Sequence, residues 1–204
     1  VIDRPNSPQS VLMLARVLDL TGRQPGQEPL ELANQVLGSG FLSRLNTNLR
    51  EEKGWTYGIR SGITGTVGRQ VLSVTTPVQS DRTADSIRVI LEEMAAFPAT
   101  HGVDPTELQR VTEGNIRALP NGFQTNGQVL GALLQNQQLG RPDDYQAQLP
   151  EIYRQIDAAA IDRAATTWLQ PRDLTIVVVG DRKQIDEQLA GLGMEVEYLE
   201  ASGL

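Results

Sequence analysis

The residues of this chain best placed to do chemistry stand in one stretch, LREEKGWTYG, from Leu49 to Gly58. Arg50 carries a guanidinium that stays charged at any physiological pH, and Tyr57, seven positions on, carries a phenolic hydroxyl. Taken by itself the pair is open to a bland reading. An Arg near a helix end often pairs with a carboxylate, and a Tyr at a strand start often packs with its hydroxyl at the edge.

The other candidates weaken on inspection. His101 sits in PATHGVDP, a loop signal between two helices, and with no second histidine it forms neither a triad nor a His-rich zinc site. The carboxylate pairs Glu51-Glu52, Glu92-Glu93 and Asp143-Asp144 fall on expected helices or at their starts, where a solvated face or a helix-start charge explains them. VVVGDRKQ lacks the glycine pattern of a phosphate loop, and Gly38-Ser39-Gly40 lies in a helical region, the wrong context for a dinucleotide fingerprint.

Composition narrows the function classes further. With 18 basic and 25 acidic side chains the net charge is -7, which argues against non-specific binding to nucleic acid or anionic membranes. No cysteine is present, so disulfides, thiolate metal sites and a thiol nucleophile are excluded. That absence suits an oxidising or a reducing compartment. No apolar run approaches the ~20 residues of a membrane helix. The 204 residues, 39% hydrophobic and 21% charged, suffice for a sizeable core. The first residue is Val1 rather than methionine, so the chain reads as a piece of a longer product.

The elements that must position Arg50 and Tyr57 follow from periodicity. Residues 1–8 read as an extended lead-in, and residues 9–204 as a single domain without a long linker. Residues 9–19 predict a strand. Leu30, Ala33, Val36 and Leu37, then Leu42, Leu45 and Leu49, recur at helical spacing on either side of Gly38-Ser39-Gly40. Lys53-Gly54 ends that helix, a cation in the last turn before a glycine able to turn left-handed. Residues 56–64 and 69–77 predict a hairpin turning at 65–68, with Tyr57, Ile59, Ser61 and Ile63 on one face.

Ser80 or Asp81 is expected to cap a helix, and Asp104-Pro105-Thr106-Glu107 is a capping-box signal. Helices are expected over 122–139 and 143–156, and from Asp157 to Leu169. Leu174 to Gly180 predicts a buried strand, Asp181 a capped helix with Gln184 in the capping-box position, and 195–199 an edge strand. Strands and helices are segregated, which favours α+β with a mainly antiparallel sheet covered by helices on one face.

The block LGSGFLSRLNTNLREEKGWTYG resembles the non-catalytic half of the pitrilysin/insulinase group of zinc peptidases, which includes the mitochondrial processing peptidase. The pattern is carried by Gly38 and Gly40, Ser43-Arg44-Leu45, Leu49-Arg50-Glu51, Gly54, Trp55 and Tyr57; Trp55 stands where a smaller apolar residue is commoner. The opening DRPNSPQS and the late TIVVVGD strand fall in the family's order. The resemblance implies a C-terminal, metal-free domain that faces a homologous zinc-bearing domain, in the same polypeptide or in a partner subunit. The zinc and its H-x-x-E-H motif are expected there and not in this chain.

By the same resemblance Arg50 and Tyr57 hold a substrate carbonyl and donate to the oxyanion formed when a peptide bond is attacked. The substrate is a peptide, and the chain alone is inactive. An inactive structural or assembly subunit of the same fold is the alternative, distinguished by the absence of H-x-x-E-H in the rest of the gene or its neighbour. The bacterial relatives and the lack of cysteine lean towards the periplasm.

One histidine and no cysteine cannot supply the usual first shell of zinc. The purified chain, stripped with chelator and returned to zinc, is therefore expected to hold no tightly bound metal. Elemental analysis finding one zinc per chain would overturn this.

Overall fold

In the computed structural model, which describes residues 1–64 and 67–200, the longest strand is β2, Gln9–Thr21. Its side chains alternate as a sheet with one covered face requires. Leu12, Leu14, Leu18 and Leu20 are buried, while Val11, Met13 and Val17 are exposed on the other side. β2 lies at the centre of a five-stranded sheet in the order β1-β5-β2-β4-β3. The others are β1 (Ile2–Asp3), β3 (Arg60–Thr64), β4 (Arg69–Gln79) and β5 (Thr175–Gly180). β2 pairs antiparallel with β4 and β5, and β4 with β3; only the short β1 runs parallel, to β5. The expected α+β architecture with an antiparallel-dominated sheet is what forms.

The helices cover one face. α1 (Gln27–Asn34) continues as a π-helical turn, Gln35–Ser39, and α2 (Arg44–Asn46) continues as another, Thr47–Glu52. Then come α3 (Thr83–Ala99), α4 (Pro105–Ala118), α5 (Asn126–Leu139), α6 (Tyr145–Gln155), α7 (Ala158–Trp168) and α8 (Arg182–Ala190). α1 and α3 pack on α7 and also meet the sheet. Val36, Leu37, Leu45, Leu49, Leu72, Val74, Ile87, Ile90 and Phe97 fill the space between the layers.

The Asp104 capping box forms with both of its hydrogen bonds, and Asp157 caps α7. α5 is different: its Val129, Leu130, Leu133 and Leu134 are exposed, an apolar surface without cover among the described residues.

Several local expectations are corrected. The lead-in is not free, because Ile2 and Asp3 join the sheet beside Val179 and Gly180. No strand forms over 55–59, and β3 starts at Arg60. A side chain replaces the ladder there. Asn46 Oδ1 accepts from the Ile59 N–H at 3.2 Å and its Nδ2 donates to the Ile59 carbonyl at 2.9 Å. Tyr57 therefore does not share a face with Ser61 and Ile63. The hairpin register holds from Arg60↔Thr75 to Thr64↔Val71, while the expected turn includes residues 65 and 66, which lie outside the described residues.

β5 is only half covered, since one of its faces belongs to the open side of the sheet. Residues 195–199 make a single bridge, Ile2↔Leu199, rather than a strand. Neither Ser80 nor Asp81 caps α3 with its side chain. Gln184 donates to the Asp181 carboxylate instead of completing a capping box.

The first π-turn approaches β3 closely. A Cβ at Gly38 would stand 2.7 Å from Ser61 Oγ and 2.8 Å from Leu45 Cδ1. Ser61 cannot easily yield, because its hydroxyl donates to Asn34 Oδ1 at 2.6 Å. Gly38→Ala should thus destabilise the chain by ~1–3 kcal/mol through overpacking. An unchanged urea midpoint would show that the contact is looser than described.

Candidate functional site

Arg50 lies on the π-helical turn that follows α2. Leu45 and Leu49 on that segment are wholly buried and anchor it to the core. Leu42, expected to begin the same stripe, is instead exposed, because it lies in the bend before α2 starts. One residue past Leu49 the helix has turned by roughly a quarter of a circle, so Arg50 leaves the core side. Its side chain is 31% exposed. The guanidinium carbon sits 4.2 Å from the centre of the Phe41 ring, a cation–π contact worth about 0.5–1 kcal/mol at an exposed site. Glu51 Oε1 is 3.5 Å from Arg50 Nε, but Glu51 is exposed and the pair is screened by water.

Tyr57 stands at the tip of a turn whose two shoulders are tied down. Gly54 takes the left-handed conformation, φ 65°, and the Trp55 N–H donates to the Leu49 carbonyl at 3.0 Å. The buried Thr56 accepts from the Gly58 N–H at 3.0 Å and its hydroxyl lies at the same distance from the Gly58 carbonyl. Thr76 on β4 places its hydroxyl 2.9 Å from Thr56 Oγ1 and 3.1 Å from the Gly58 carbonyl. The backbone on both sides of Tyr57 is fixed while the ring itself is 87% exposed. Nothing in the turn uses its hydroxyl.

Arg50 and Tyr57 line one cleft of ≈ 460 Å³, together with Phe41, Asn46, Arg60 and Thr75 and the backbone of Gly40 and Gly58. Asn46 is its structural hinge. Besides its two bonds to Ile59, Nδ2 lies 3.1 Å from the Gly40 carbonyl and 3.2 Å from Ser43 Oγ. One amide thus joins the loop bearing Phe41 to the segment following Tyr57. The sequence reading had no place for Phe41, Asn46, Arg60 or Thr75. Asn46 carried a signal: it precedes Arg50 by four residues, on the same helical face, and a mid-helix Asn invites a search for a backbone partner.

The cleft holds two guanidinium groups, Arg50 and Arg60, and a phenol, in a chain that is acidic overall. It is rich in donors and suited to oxygen acceptors. It is not suited to a metal. His101 is exposed, its ring beside the Thr100 hydroxyl at 3.1 Å, and Arg44 binds its carbonyl rather than its imidazole. Among the described residues no three His, Cys, Asp or Glu side chains converge as a metal site. Of the carboxylate pairs only Glu51 comes near the cleft, through its exposed contact with Arg50. Glu52, Glu92, Asp143 and Asp144 are exposed and Glu93 accepts from Asn48.

The family described as the peptidase M16 inactive domain matches residues 1–115, a stretch that contains the whole cleft. No curated protein matches the chain. Among solved structures, the peptidase M16 inactive domain from Pseudomonas fluorescens is 23% identical with a TM-score of 0.79, over 88% of this chain and 42% of that one. The periplasmic protease PqqL from Escherichia coli is 15% identical with a TM-score of 0.73, over 89% of this chain and 20% of that one. A chain of complex III from Candida albicans, solved with Inz-5 bound, is 13% identical with a TM-score of 0.71, over 92% of this chain and 48% of that one.

At these identities the likeness is one of fold, and the chain spans less than half the length of each of those three. More than half of the sequence lies inside the family match, so the chain belongs to the peptidase M16 inactive domain family, the metal-free branch of the pitrilysin/insulinase group.

Proposed function

We propose that this domain holds peptide substrate, and supports the transition state of its cleavage, for a homologous zinc-bearing domain that lies outside the present chain. The observation that carries this reading is the convergence of Arg50 and Tyr57 on one cleft with their polar ends unspent. A side chain serving the core would be buried and partnered. Here Tyr57 projects from a turn braced on both shoulders, and Arg50 lies over the Phe41 ring while lining the same cleft. A donor whose position is fixed before substrate arrives needs no reorganisation as charge develops on a carbonyl oxygen. Arg50 supplies a permanent charge and several donors to a neighbouring backbone carbonyl. Chemistry at the metal belongs to the partner domain.

Two surfaces support a partner. The open face of the sheet presents Val11, Met13 and Val17, and α5 presents its four apolar residues. A second domain would cover such surface, whether it lies in the same polypeptide or in another subunit. Among the described residues no helix is long and apolar enough to cross a membrane.

A second reading, an inactive structural subunit, is favoured by one observation, the shared fold of the complex III chain. The two differ in what the cleft must do. In the enzyme reconstituted with its zinc-bearing domain, Tyr57→Phe removes one donor at nearly constant shape and should lower kcat by ~10²–10³-fold. Arg50→Ala should impair turnover and substrate binding together. Tm should move little in either variant, because neither side chain belongs to the core. Full activity in both variants would overturn the substrate role, no activity in the unmodified reconstituted pair would favour the structural reading, and loss of folding in both would return the pair to a packing role.

A further inference from the structure

Arg60 is the second guanidinium of the Arg50–Tyr57 cleft and the first residue of β3, the edge strand of the sheet. The ladder register sets its face. Arg60 pairs with Thr75, and Thr75 pairs on its other side with Met13. Val74 and Thr76, the chain neighbours of Thr75, are wholly buried, while Met13 is exposed. Residues directly opposite in a ladder share a face. Arg60 therefore stands on the open face, at the end of a row with Thr75 and Met13.

Nothing near it uses its charge. Other arginines are engaged: Arg44 with Glu107, Arg69 with Asp19, Arg88 with Asp85, and Arg110 with the Leu42 carbonyl. Arg50 has the Phe41 ring and the exposed Glu51. Among the described residues Arg60 has no ion pair, no side-chain hydrogen bond and no ring contact. The cleft lining contains no carboxylate, although acidic side chains outnumber basic ones 25 to 18 in the chain. Two guanidiniums on one cleft without a lining anion leave a positive field for an anion to enter.

Room for that anion is present. Gly62, the next residue of β3 on the open face, pairs with Ser73 and carries no side chain. A Cβ there would meet only Ser73 Oγ, at 3.8 Å. Charge on an edge strand also deters edge-to-edge pairing of sheets, which is the plainer account of Arg60. That account requires an exposed charge, but not one placed on a cleft without anions.

We propose that Arg60 is a specificity-determining residue that binds an aspartate or glutamate side chain of the peptide, so that the cleft prefers acidic peptides. This rests on the reading of the cleft as a peptide site. A guanidinium meets a carboxylate with two parallel N–H···O bonds, a geometry that an ammonium does not reproduce.

The test is NMR titration of the 204-residue chain with two blocked hexapeptides, five alanines and one glutamate or one glutamine. The alanine host lets the peptide slide until its variable side chain meets Arg60. The glutamate peptide should bind about three- to fivefold more tightly, the range of an exposed charge pair, and added salt should narrow the difference. It alone should shift the Arg60 Nε–H signal. Arg60→Gln should remove the preference and Arg60→Lys should keep part of it, with Tm little changed in either.

The proposal is overturned if the two peptides bind alike, or if the preference survives Arg60→Gln. Should Arg60→Gln fail to fold, the Arg60 Nε–H signal of the unmodified chain decides. Where both peptides shift Tyr57 and Gly58 equally, the cleft remains a peptide site and only the role of Arg60 falls. Where neither peptide moves these signals the role of Arg60 falls as well, and the peptide reading is decided by the turnover of Tyr57→Phe in the reconstituted enzyme.

Discussion

The fold of the cleft depends on one buried amide. Asn46 gives the Ile59 backbone the two hydrogen bonds that a neighbouring strand would otherwise supply, and it reaches the Gly40 carbonyl as well. Without it the chain between Gly54 and Arg60 would have buried, unpaired backbone, or would have to extend β3 towards its start. Extension of that kind would flatten the turn that carries Tyr57. Ending the strand at Arg60 leaves a short irregular segment free to bend, and Thr56 and Thr76 then fix the bend from the β4 side. The tyrosine is thus displayed by hydrogen bonds made by its neighbours, and by none of its own.

The same economy of space operates eight residues earlier. Gly38 allows the π-turn to touch Ser61, and the contact sets how near the Phe41 loop comes to the sheet edge. Phe41 in turn lies under the Arg50 guanidinium. A cation–π contact with a ring that is itself exposed, and a water-screened contact with Glu51, are the neighbours of the charged group. An arginine held by a ring keeps its N–H fork available, whereas one held by a carboxylate has spent it.

The two faces of the sheet divide the chemistry by sign. The open face ends at a cleft of donors, with Arg50, Arg60 and Tyr57. The helical side carries a pocket in which Glu28 and Glu31 accept from Tyr145 and Tyr153. The covered core of leucine and valine lies between them and keeps the two fields apart. A domain that carries no metal can still present two chemically opposite surfaces, because a sheet alternates its side chains across its two faces.

Local pattern in the sequence determined much of this protein. Alternating leucines in β2, the helical spacing of Leu30, Ala33, Val36 and Leu37 and of Leu45 and Leu49, the Asp104 box and the left-handed Gly54 are short-range features, and each appears where its period or turn chemistry places it. The Arg50–Tyr57 spacing was legible for the same reason, since a helix end and a glycine turn fix both residues within a few positions. What only the tertiary structure decided depends on partners far apart in the chain. Ile59 lost its strand to Asn46, Leu42 lost its place in the core, and Ile2 gained a place in the sheet beside Val179. Glu28 and Glu31 tie α1 to tyrosines more than a hundred residues later. No periodicity reports such meetings, because they are set by how layers pack, and packing is a property of the whole chain.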